Sequence, residues 1–136
     1  KAYFGQKDAQ QLFLIKKMVK DLNLNVDITS VPIVRDKNGL ALSSRNKYLD
    51  ENGYNKALTI HKMLDKVKEL YNKGITNAKI LFEEAILLNK DNAVDIEYFE
   101  FLDFNNLENV DTAKENTLVA IAARVDSIRL IDNLIL

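Results

Sequence analysis

Two short polar stretches carry the residue types best suited to binding phosphate. Asp36–Asn46 combines a glycine, two adjacent serines, an arginine and asparagines. Serine hydroxyls and backbone N–H groups donate hydrogen bonds, and the planar arginine guanidinium offers a fork of donors that matches phosphate oxygens. Phe4–Gln11 adds a glycine, a lysine and an aspartate. Together the two stretches predict a phosphate or nucleotide site divided between two loops.

The residues around the first of these loops in the chain predict a strand, a helix and a second strand. Ala2–Phe4 is a short apolar run with the character of a core strand, and Asp8 and Gln11 have the spacing of a capping box. Apolar residues then recur at helical spacing, which predicts a helix from about Ala9 to Leu22. Alternation over 24–29 predicts the second strand. This order is typical of an α/β unit with parallel strands.

The remainder of the chain predicts helices followed by a short antiparallel sheet. Pro32 keeps the chain extended to Val34, and the polar loop follows. The predicted elements are helices over about 52–71 and after Asn77, and strands over 94–100, 117–125 and 128–136, the last two joined by a tight turn at Asp126-Ser127. Helices followed by such a sheet indicate a small α+β domain.

Composition excludes several classes of function. The chain has 136 residues, 47% hydrophobic and 29% charged, which is typical of a globular protein with one core. Its net charge of −1 gives no overall field that would attract nucleic acid or an anionic membrane. There is no cysteine, which excludes disulfides, Cys-ligated zinc and thiol catalysis. The single histidine, His61, gives poor support for His-cluster metal sites, and we expect it to be structural or on the surface.

Further features of the sequence lead to expectations about cellular location and about the length of the whole polypeptide. No apolar run approaches the roughly 18–20 residues that cross a bilayer, and no signal peptide is visible, so we expect a cytoplasmic protein. The first residue is Lys1 rather than methionine, which suggests a piece of a longer polypeptide.

Both polar stretches resemble signature motifs of the pantothenate synthetase (pantoate–β-alanine ligase) family. The matching segments are Phe4–Gln11 and Arg35–Asn46, and Arg129–Asn133 is similar to the closing strand of that family. The resemblance covers nearly the whole chain in the family's order and spacing. Because these motifs are long and irregular, the resemblance is specific.

The resemblance implies a fold and a division into domains. Residues 1–33 would form the end of a Rossmann-like domain that binds ATP and pantoate, and residues 34–136 a small α+β lid domain, so the fold class is α/β plus α+β. The family's His-x-Gly-His motif, which helps to bind ATP phosphates, has no counterpart here. We therefore expect a C-terminal fragment that keeps part of the ATP site and cannot complete the reaction alone.

The resemblance also implies a reaction. Mg·ATP would activate the pantoate carboxylate to give pantoyl-adenylate and pyrophosphate, and the amine of β-alanine would then attack, giving pantothenate and AMP. ATP with Mg²⁺ is thus a substrate, and no tightly bound cofactor or dedicated metal site is expected. The expected partners are ATP, pantoate and β-alanine, without nucleic acid or membrane, in a homodimer.

Site residues follow from the resemblance position by position. It assigns ATP contacts to Gly5, Gln6, Lys7, Asp8, Val34, Leu42, Ser43, Ser44 and Arg45. It assigns a hydrogen bond with pantoate to Gln11. Adenylation concentrates negative charge on the phosphates, so Lys7 as a point charge and Arg45 as a bidentate clamp, with Ser43 and Ser44, are the candidate catalytic residues.

Structural interpretations stand beside these functional ones. Ser43 and Ser44 suit the cap of a turn, and Asp8 suits a helix cap as well as a ligand contact. Arg129 and Asp132 suggest a structural ion pair, and Glu97 suggests a solvated strand face. For the whole chain the alternative is a non-catalytic nucleotide-binding or self-association module, because a sheet with an exposed edge favours pairing with another copy.

Overall fold

A computed structural model describes all residues 1–136. Its strands form a parallel pair and an antiparallel sheet of three strands. In chain order the elements are β1 (Ala2–Gly5), α1 (Ala9–Asp21), β2 (Ile28–Val31), a 3₁₀ turn (Ser44–Tyr48), α2 (Glu51–Asn72), α3 (Ala78–Ile86), a second 3₁₀ turn (Lys90–Asn92), β3 (Asp95–Asp103), β4 (Thr117–Val125) and β5 (Ile128–Ile135). This mixed α/β architecture confirms the predicted fold class.

The β1–α1–β2 unit has the predicted parallel connection. β1 and β2 pair in register from Ala2 with Ile28 to Gly5 with Val31. The Asp8 carboxylate accepts a hydrogen bond from the backbone N–H of Gln11 at 3.4 Å, as a helix cap does. The predicted helix is therefore confirmed, with its start fixed by the predicted cap.

Two expectations for this unit are wrong. The strand predicted over 24–29 is Ile28–Val31, and Leu24 and Val26 are 47% and 40% exposed in the connection before it. Asn23 takes a φ of +50°, and the N–H of Leu24 returns to the carbonyl of Val19, so these residues close the helix end. Tyr3, expected in the core, is 67% exposed, because only alternate β1 side chains turn inward.

β4 is the centre of the larger sheet, with β3 and β5 antiparallel on either side. Its side chains alternate between two buried clusters. One face packs with α2 and α3 through Val119, Ile121, Ala123 and Val125. The other face places Leu118 and Ala120 against Ala9, at the start of α1. The sheet therefore lies between the α2–α3 pair and the N-terminus of α1.

Caps and turns bound these elements, and the start of α3 after Asn77 and the β4–β5 turn lie where the sequence predicted them. The carboxylate of Asp50 accepts from the N–H of Gly53 at the start of α2, and the amide oxygen of Asn77 accepts from the N–H of Ile80 at the start of α3. Gly74, with φ +92°, follows the end of α2 as a left-handed cap. Asp126-Ser127 forms the tight β4–β5 turn. None of the helices is both long and apolar enough to cross a membrane.

The α2–α3 core gives a direct test of the packing. Leu81 in α3 is fully buried in the main cluster, whereas Leu87, which follows the same helix, is 66% exposed. We expect Leu81→Ala to lower the free energy of unfolding by about 2–5 kcal/mol, because it leaves a cavity. Leu87→Ala should change it by no more than about 0.5 kcal/mol. Urea unfolding of both variants measures the difference, and equal costs would contradict this packing.

Candidate functional site

The two polar loops meet in the folded chain. The Nζ of Lys7, in the β1–α1 turn, donates a hydrogen bond to the carbonyl of Leu42 at 3.1 Å. A cavity of about 320 Å³ opens beside this contact. Its lining residues are Lys7, Asp8, Ser43, Arg45, Arg129, Leu130 and Ile131. Residues of both motif loops therefore line one cavity, together with residues of β5.

The turn between β1 and α1 aims Lys7 at the cavity. The N–H of Gln6 donates to the carbonyl of Val31 at 2.8 Å, which extends the parallel pairing just past the end of β1. α1 begins two residues later with the Asp8 cap. Loops at the carboxyl ends of parallel strands are the usual binding region of α/β folds, and helix N-termini favour anions. Lys7 adds a positive side chain at that position.

The second loop is shaped by the carboxylate of Asp36. Its Oδ1 accepts from the N–H groups of Asn38 at 2.8 Å and Leu40 at 3.0 Å, and its Oδ2 accepts from the hydroxyl of Tyr54 at 2.6 Å. The Tyr54 hydrogen bond is the main reason that the pKa of Asp36 lies below its usual value, and the loop N–H groups act in the same direction. The charged carboxylate therefore holds the loop in one shape.

Gly39 lets this loop lie directly on α2. Its φ of +97° is in the left-handed region, and a Cβ at this position would lie 2.1 Å from Cδ2 of His61. Nε2, on the same edge of the imidazole, lies 3.1 Å from the carboxylate of Asp65. His61 therefore supports the loop, as its predicted structural role requires.

Ser43 combines a structural contact with a position in the cavity wall. Its hydroxyl accepts a hydrogen bond from the N–H of Arg45 at 3.2 Å, which caps the 3₁₀ turn, and the same side chain lines the cavity. Nη1 of Arg45 donates to the carbonyl of Arg129 at 3.0 Å, which brings the guanidinium to the mouth of the cavity. Ser44 is exposed and does not line it.

The pKa of Lys7 is lowered by its surroundings at the site. Partial burial is the main cause that lowers its pKa below 10.5, and the positive charges of Arg45 and Arg35 lower it further. The negative charge of Asp132 acts in the opposite direction. The ammonium group is therefore close enough to one strand carboxylate and two guanidinium groups for their charges to act on its pKa.

The remaining predicted site residues lie around the cavity and not in its wall. Gly5 ends β1, and the amide of Gln6 turns away to hydrogen-bond with Asn133 at 3.2 Å. Val34 is exposed, and its carbonyl accepts from the N–H of Leu42 at 2.9 Å. Gln11 is exposed on the first turn of α1. Leu42 contributes the carbonyl that holds Lys7.

The ion pair predicted between Arg129 and Asp132 is wrong. Residues three apart on a strand point to opposite faces, so these two side chains diverge. Asp132 accepts both Nη atoms of Arg35, at 2.7 and 2.9 Å, whereas Nε of Arg129 donates to Glu97 at 2.7 Å. Arg129 thereby becomes a third cation at the cavity, which sequence reasoning missed.

A signal for Arg129 was present in the sequence. A two-residue turn at Asp126-Ser127 places Arg124 directly opposite Arg129 in the hairpin, and two facing cations need a carboxylate nearby. Glu97 supplies it, with hydrogen bonds to Arg124 at 2.6 Å and to Arg129. A β-bulge between Ile96 and Tyr98 sets Glu97 out of the regular register. Glu97 is exposed, in agreement with the expected solvated strand face, and it pairs there with both arginines.

Two larger clefts, of about 370 and 440 Å³, lie along α1. Their cationic side chains come from exposed lysines on one helix surface, and neither cleft is lined by the two polar loops. The smaller cavity at Lys7 and Arg45 is the better candidate, since groups from several separate segments converge there.

The charges around Lys7 predict two pKa changes of opposite sign. Asp132→Asn should lower the pKa of Lys7 further and Arg45→Gln should raise it, with Lys47→Gln as a nearby control that leaves it unchanged. Titration of the Lys7 side chain by NMR measures all three, and equal pKa values in both test variants would contradict the arrangement. Because the unfolded chain binds this proton more tightly, the Lys7 contribution to stability should rise with pH between its lowered pKa and 10.5.

Comparison with known proteins assigns the chain to a family. The family model described as pantoate-beta-alanine ligase matches residues 1–135. A pantothenate synthetase of Acetivibrio thermocellus is 50% identical over 137 aligned residues, covering 99% of this chain and 48% of the relative. One of Koribacter versatilis is 45% identical with similar coverage. The chain thus spans about half the length of the curated relatives that it matches.

Solved structures agree. The crystal structure of pantothenate synthetase from Thermus thermophilus matches with a TM-score of 0.88 at 35% identity, covering 98% of this chain and 48% of that one. A pantoate-beta-alanine ligase of Francisella tularensis, complexed with beta-gamma ATP and beta-alanine, matches with a TM-score of 0.61 at 29% identity, covering 98% and 42%. With a family model matching nearly end to end and solved members sharing its fold, the chain belongs to the pantoate–β-alanine ligase family.

Proposed function

We propose that this chain is the C-terminal half of an ATP-dependent ligase that condenses pantoate with β-alanine. The observation that carries the proposal is the Lys7–Leu42 hydrogen bond, which joins the two motif loops at one cavity with Arg45 and Ser43. Family membership supports the ligase class. The Francisella relative in complex with beta-gamma ATP and beta-alanine supports these two compounds as ligands of this chain's longer form.

In the proposed reaction the pantoate carboxylate attacks the α-phosphorus of ATP. The bond to the bridging oxygen breaks, pyrophosphate leaves, and pantoyl-adenylate forms. The amine of β-alanine then attacks the acyl carbon, AMP leaves with the electron pair, and the amine loses a proton to give pantothenate. Mg²⁺ enters as part of the substrate Mg·ATP.

The residues at the cavity suit the first step. Negative charge builds up on the α-phosphate and on the departing pyrophosphate, and fixed cations stabilise that charge. Lys7 supplies a point charge that is already partly desolvated, and Arg45 supplies a planar fork. Ser43 offers a hydroxyl donor in the cavity wall, and Ser44 offers another from the exposed start of the 3₁₀ turn beside it. Arg129 adds a third positive group from β5.

The other assigned residues either shape the loops or contact a substrate in this proposal. Gly5, Gln6 and Asp8 shape the turn that presents Lys7, and Leu42 holds its ammonium group. Val34 contacts adenine through its backbone, and Gln11 hydrogen-bonds pantoate. The second step needs no protein nucleophile, because the acyl group is already activated and orientation of the amine suffices.

The proposal extends to the organisation of the longer protein. Residues 1–33 close a Rossmann-like domain and residues 34–136 form the lid, which moves over ATP. The remaining phosphate ligands come from the other half of the polypeptide, so the 136-residue chain alone does not make pantothenate. The ligase is a cytoplasmic homodimer. Pantothenate synthesis by this chain alone would contradict the half-site proposal.

A Mg·ATP titration followed by NMR tests the site. We expect shifts concentrated at Gly5–Asp8, Val34 and 42–45. Lys7→Ala or Arg45→Ala should weaken binding roughly 10- to 100-fold, since each removes a charge-assisted contact. Lys47→Ala removes an equal charge from an exposed position in the same segment and should leave the affinity unchanged.

The outcomes of this titration separate two questions. Equal weakening in all three variants would mean non-specific attraction and would contradict the assigned roles. If the chain shows no shifts up to millimolar ATP, the half-site is not preformed. Adding back the missing half must then restore turnover, and restoration that survives Lys7→Ala and Arg45→Ala would overturn the assignment.

The alternative, a self-association module, is favoured by one surface. Leu14, Met18 and Leu22 follow one another at intervals of four residues on α1 and are all exposed, which makes an apolar stripe. We expect the isolated chain to dimerise at high concentration through this stripe. Light scattering should show Met18→Lys shifting the chain towards monomer, while Leu87→Lys, at an exposed position outside the stripe, does not. A wild-type chain that stays monomeric at high concentration would contradict this alternative.

A further inference from the structure

Asn133 is an almost fully buried amide, 3% exposed, on the edge strand β5. It stands opposite Ala120 of β4, on the sheet face against which Ala9 packs. Since the opposite residue is small, the β1–α1 turn can approach this part of the sheet closely. The side chain of Asn133 therefore faces the segment that carries Lys7.

The amide uses all its principal hydrogen-bonding groups on that segment. Its Nδ2 donates to the carbonyl of Gln6 at 2.9 Å and to that of Lys7 at 3.0 Å. Its Oδ1 accepts from Nε2 of Gln6 at 3.2 Å. An asparagine amide has two N–H donors and one oxygen, so the match is complete on the donor side.

The two carbonyls have no partner within α1. The first carbonyl of the helix ladder is that of Asp8, which accepts from the N–H of Leu12 at 3.0 Å. Those of Gln6 and Lys7 precede it, and Asn133 satisfies both. All hydrogen bonds between residues 1–33 and the rest of the chain involve Gln6 or Lys7. One of them joins Lys7 to Leu42, and all the others are made by the side chain of Asn133.

We propose that Asn133 is a positioning residue for the ATP site, which holds the backbone of Gln6 and Lys7 against β5 and thereby keeps the Lys7 ammonium aimed at the 42–45 loop. The inference rests on the proposed function of that site. Lys7 is fixed at two points, its carbonyl by Asn133 and its Nζ by Leu42. Without the Asn133 contact, Lys7 is held only by the hydrogen bond from Nζ to Leu42, at the end of a flexible side chain.

A purely structural asparagine would give a different result, and the chain contains one for comparison. Asn89 also holds a loop through its amide, which donates to the carbonyl of Val94 at 2.9 Å and accepts from its N–H at 3.0 Å. It lies outside both motif loops and does not line the cavity. Asn89→Ala is therefore the matched control, since it also removes a loop-closing amide.

The experiment compares Asn133→Ala with Asn89→Ala in the full 136-residue chain, at a temperature where both are folded. Free of ligand, Asn133→Ala should change the NMR shifts of the Lys7 side chain and the Leu42 carbonyl, and Asn89→Ala should not. With Mg·ATP as the probe, Asn133→Ala should bind roughly tenfold more weakly than wild type, and Asn89→Ala should bind equally well.

The two readouts separate this inference from the proposed function. Unchanged Lys7 and Leu42 shifts in Asn133→Ala would overturn the positioning role, whatever ATP does. If those shifts change and the wild-type chain binds no Mg·ATP, the anchoring of Lys7 stands and the ATP half-site fails. If Asn133→Ala binds Mg·ATP as tightly as wild type, the anchor does not serve the site and the inference is overturned.

A second variant keeps the test decisive if Asn133→Ala does not fold. Asn133→Asp keeps the size and the Oδ1 acceptor and replaces both donors with a carboxylate oxygen that faces two carbonyls. At neutral pH it should alter the Lys7 and Leu42 shifts as the alanine variant does. On acidification the protonated carboxyl regains one donor, so those shifts should return part of the way, and no return would count against the anchor.

Discussion

The partly buried ion pair between Arg35 and Asp132 is the contact on which the rest of the site depends. Both oxygens of Asp132 receive a guanidinium nitrogen, and Oδ1 also accepts from the N–H of Asn133 at 2.7 Å. The same guanidinium donates to the carbonyl of Gly39, so the 35–40 loop is tied to β5. Removal of one partner would leave a poorly solvated charge, a loss of about 3–5 kcal/mol in typical buried pairs.

Consecutive residues of β5 therefore hold the two walls of the cavity. Asp132 points to one face of the strand and fixes the second loop through Arg35. Asn133 points to the other face and fixes the first loop. Because neighbouring strand residues always diverge in this way, two adjacent polar residues can reach two separate segments. The distance between the two loops is set by the strand itself.

Much of the fold could be predicted from local sequence, and the reasons are visible in particular residues. Asp8, Asn77 and Gly74 mark helix ends through caps that depend only on near neighbours. The β4–β5 hairpin follows from two apolar runs and a two-residue turn. The strand predicted over 24–29 is wrong because alternation alone does not show where a partner strand lies. Tyr3 is exposed because only alternate side chains of β1 turn inward, and a continuous apolar run does not show which ones.

Local sequence indicated several residues of the candidate site, but it did not show which side chains pair with one another. Lys7, Ser43 and Arg45 stand in recognisable motifs, but the pairing of Arg35 with Asp132 spans 97 positions of sequence, and no local pattern announces it. Arg129 was misassigned because sequence proximity suggested Asp132 as its partner. Its real partner, Glu97, depends on a bulge whose position is set by the packing of β3 on β4.

The small size of the parallel pair has a consequence for the order in which the protein opens. β1 and β2 have four residues each and form a sheet of two strands, which has little stability of its own, whereas β4 is covered on both faces. Local unfolding takes the least supported unit first. Transient opening of the native state should therefore detach the β1–α1 turn that carries Lys7, while the segments that carry Arg45 and Arg129 stay folded. Amide protons of β1 should then exchange with solvent earlier than those of β4.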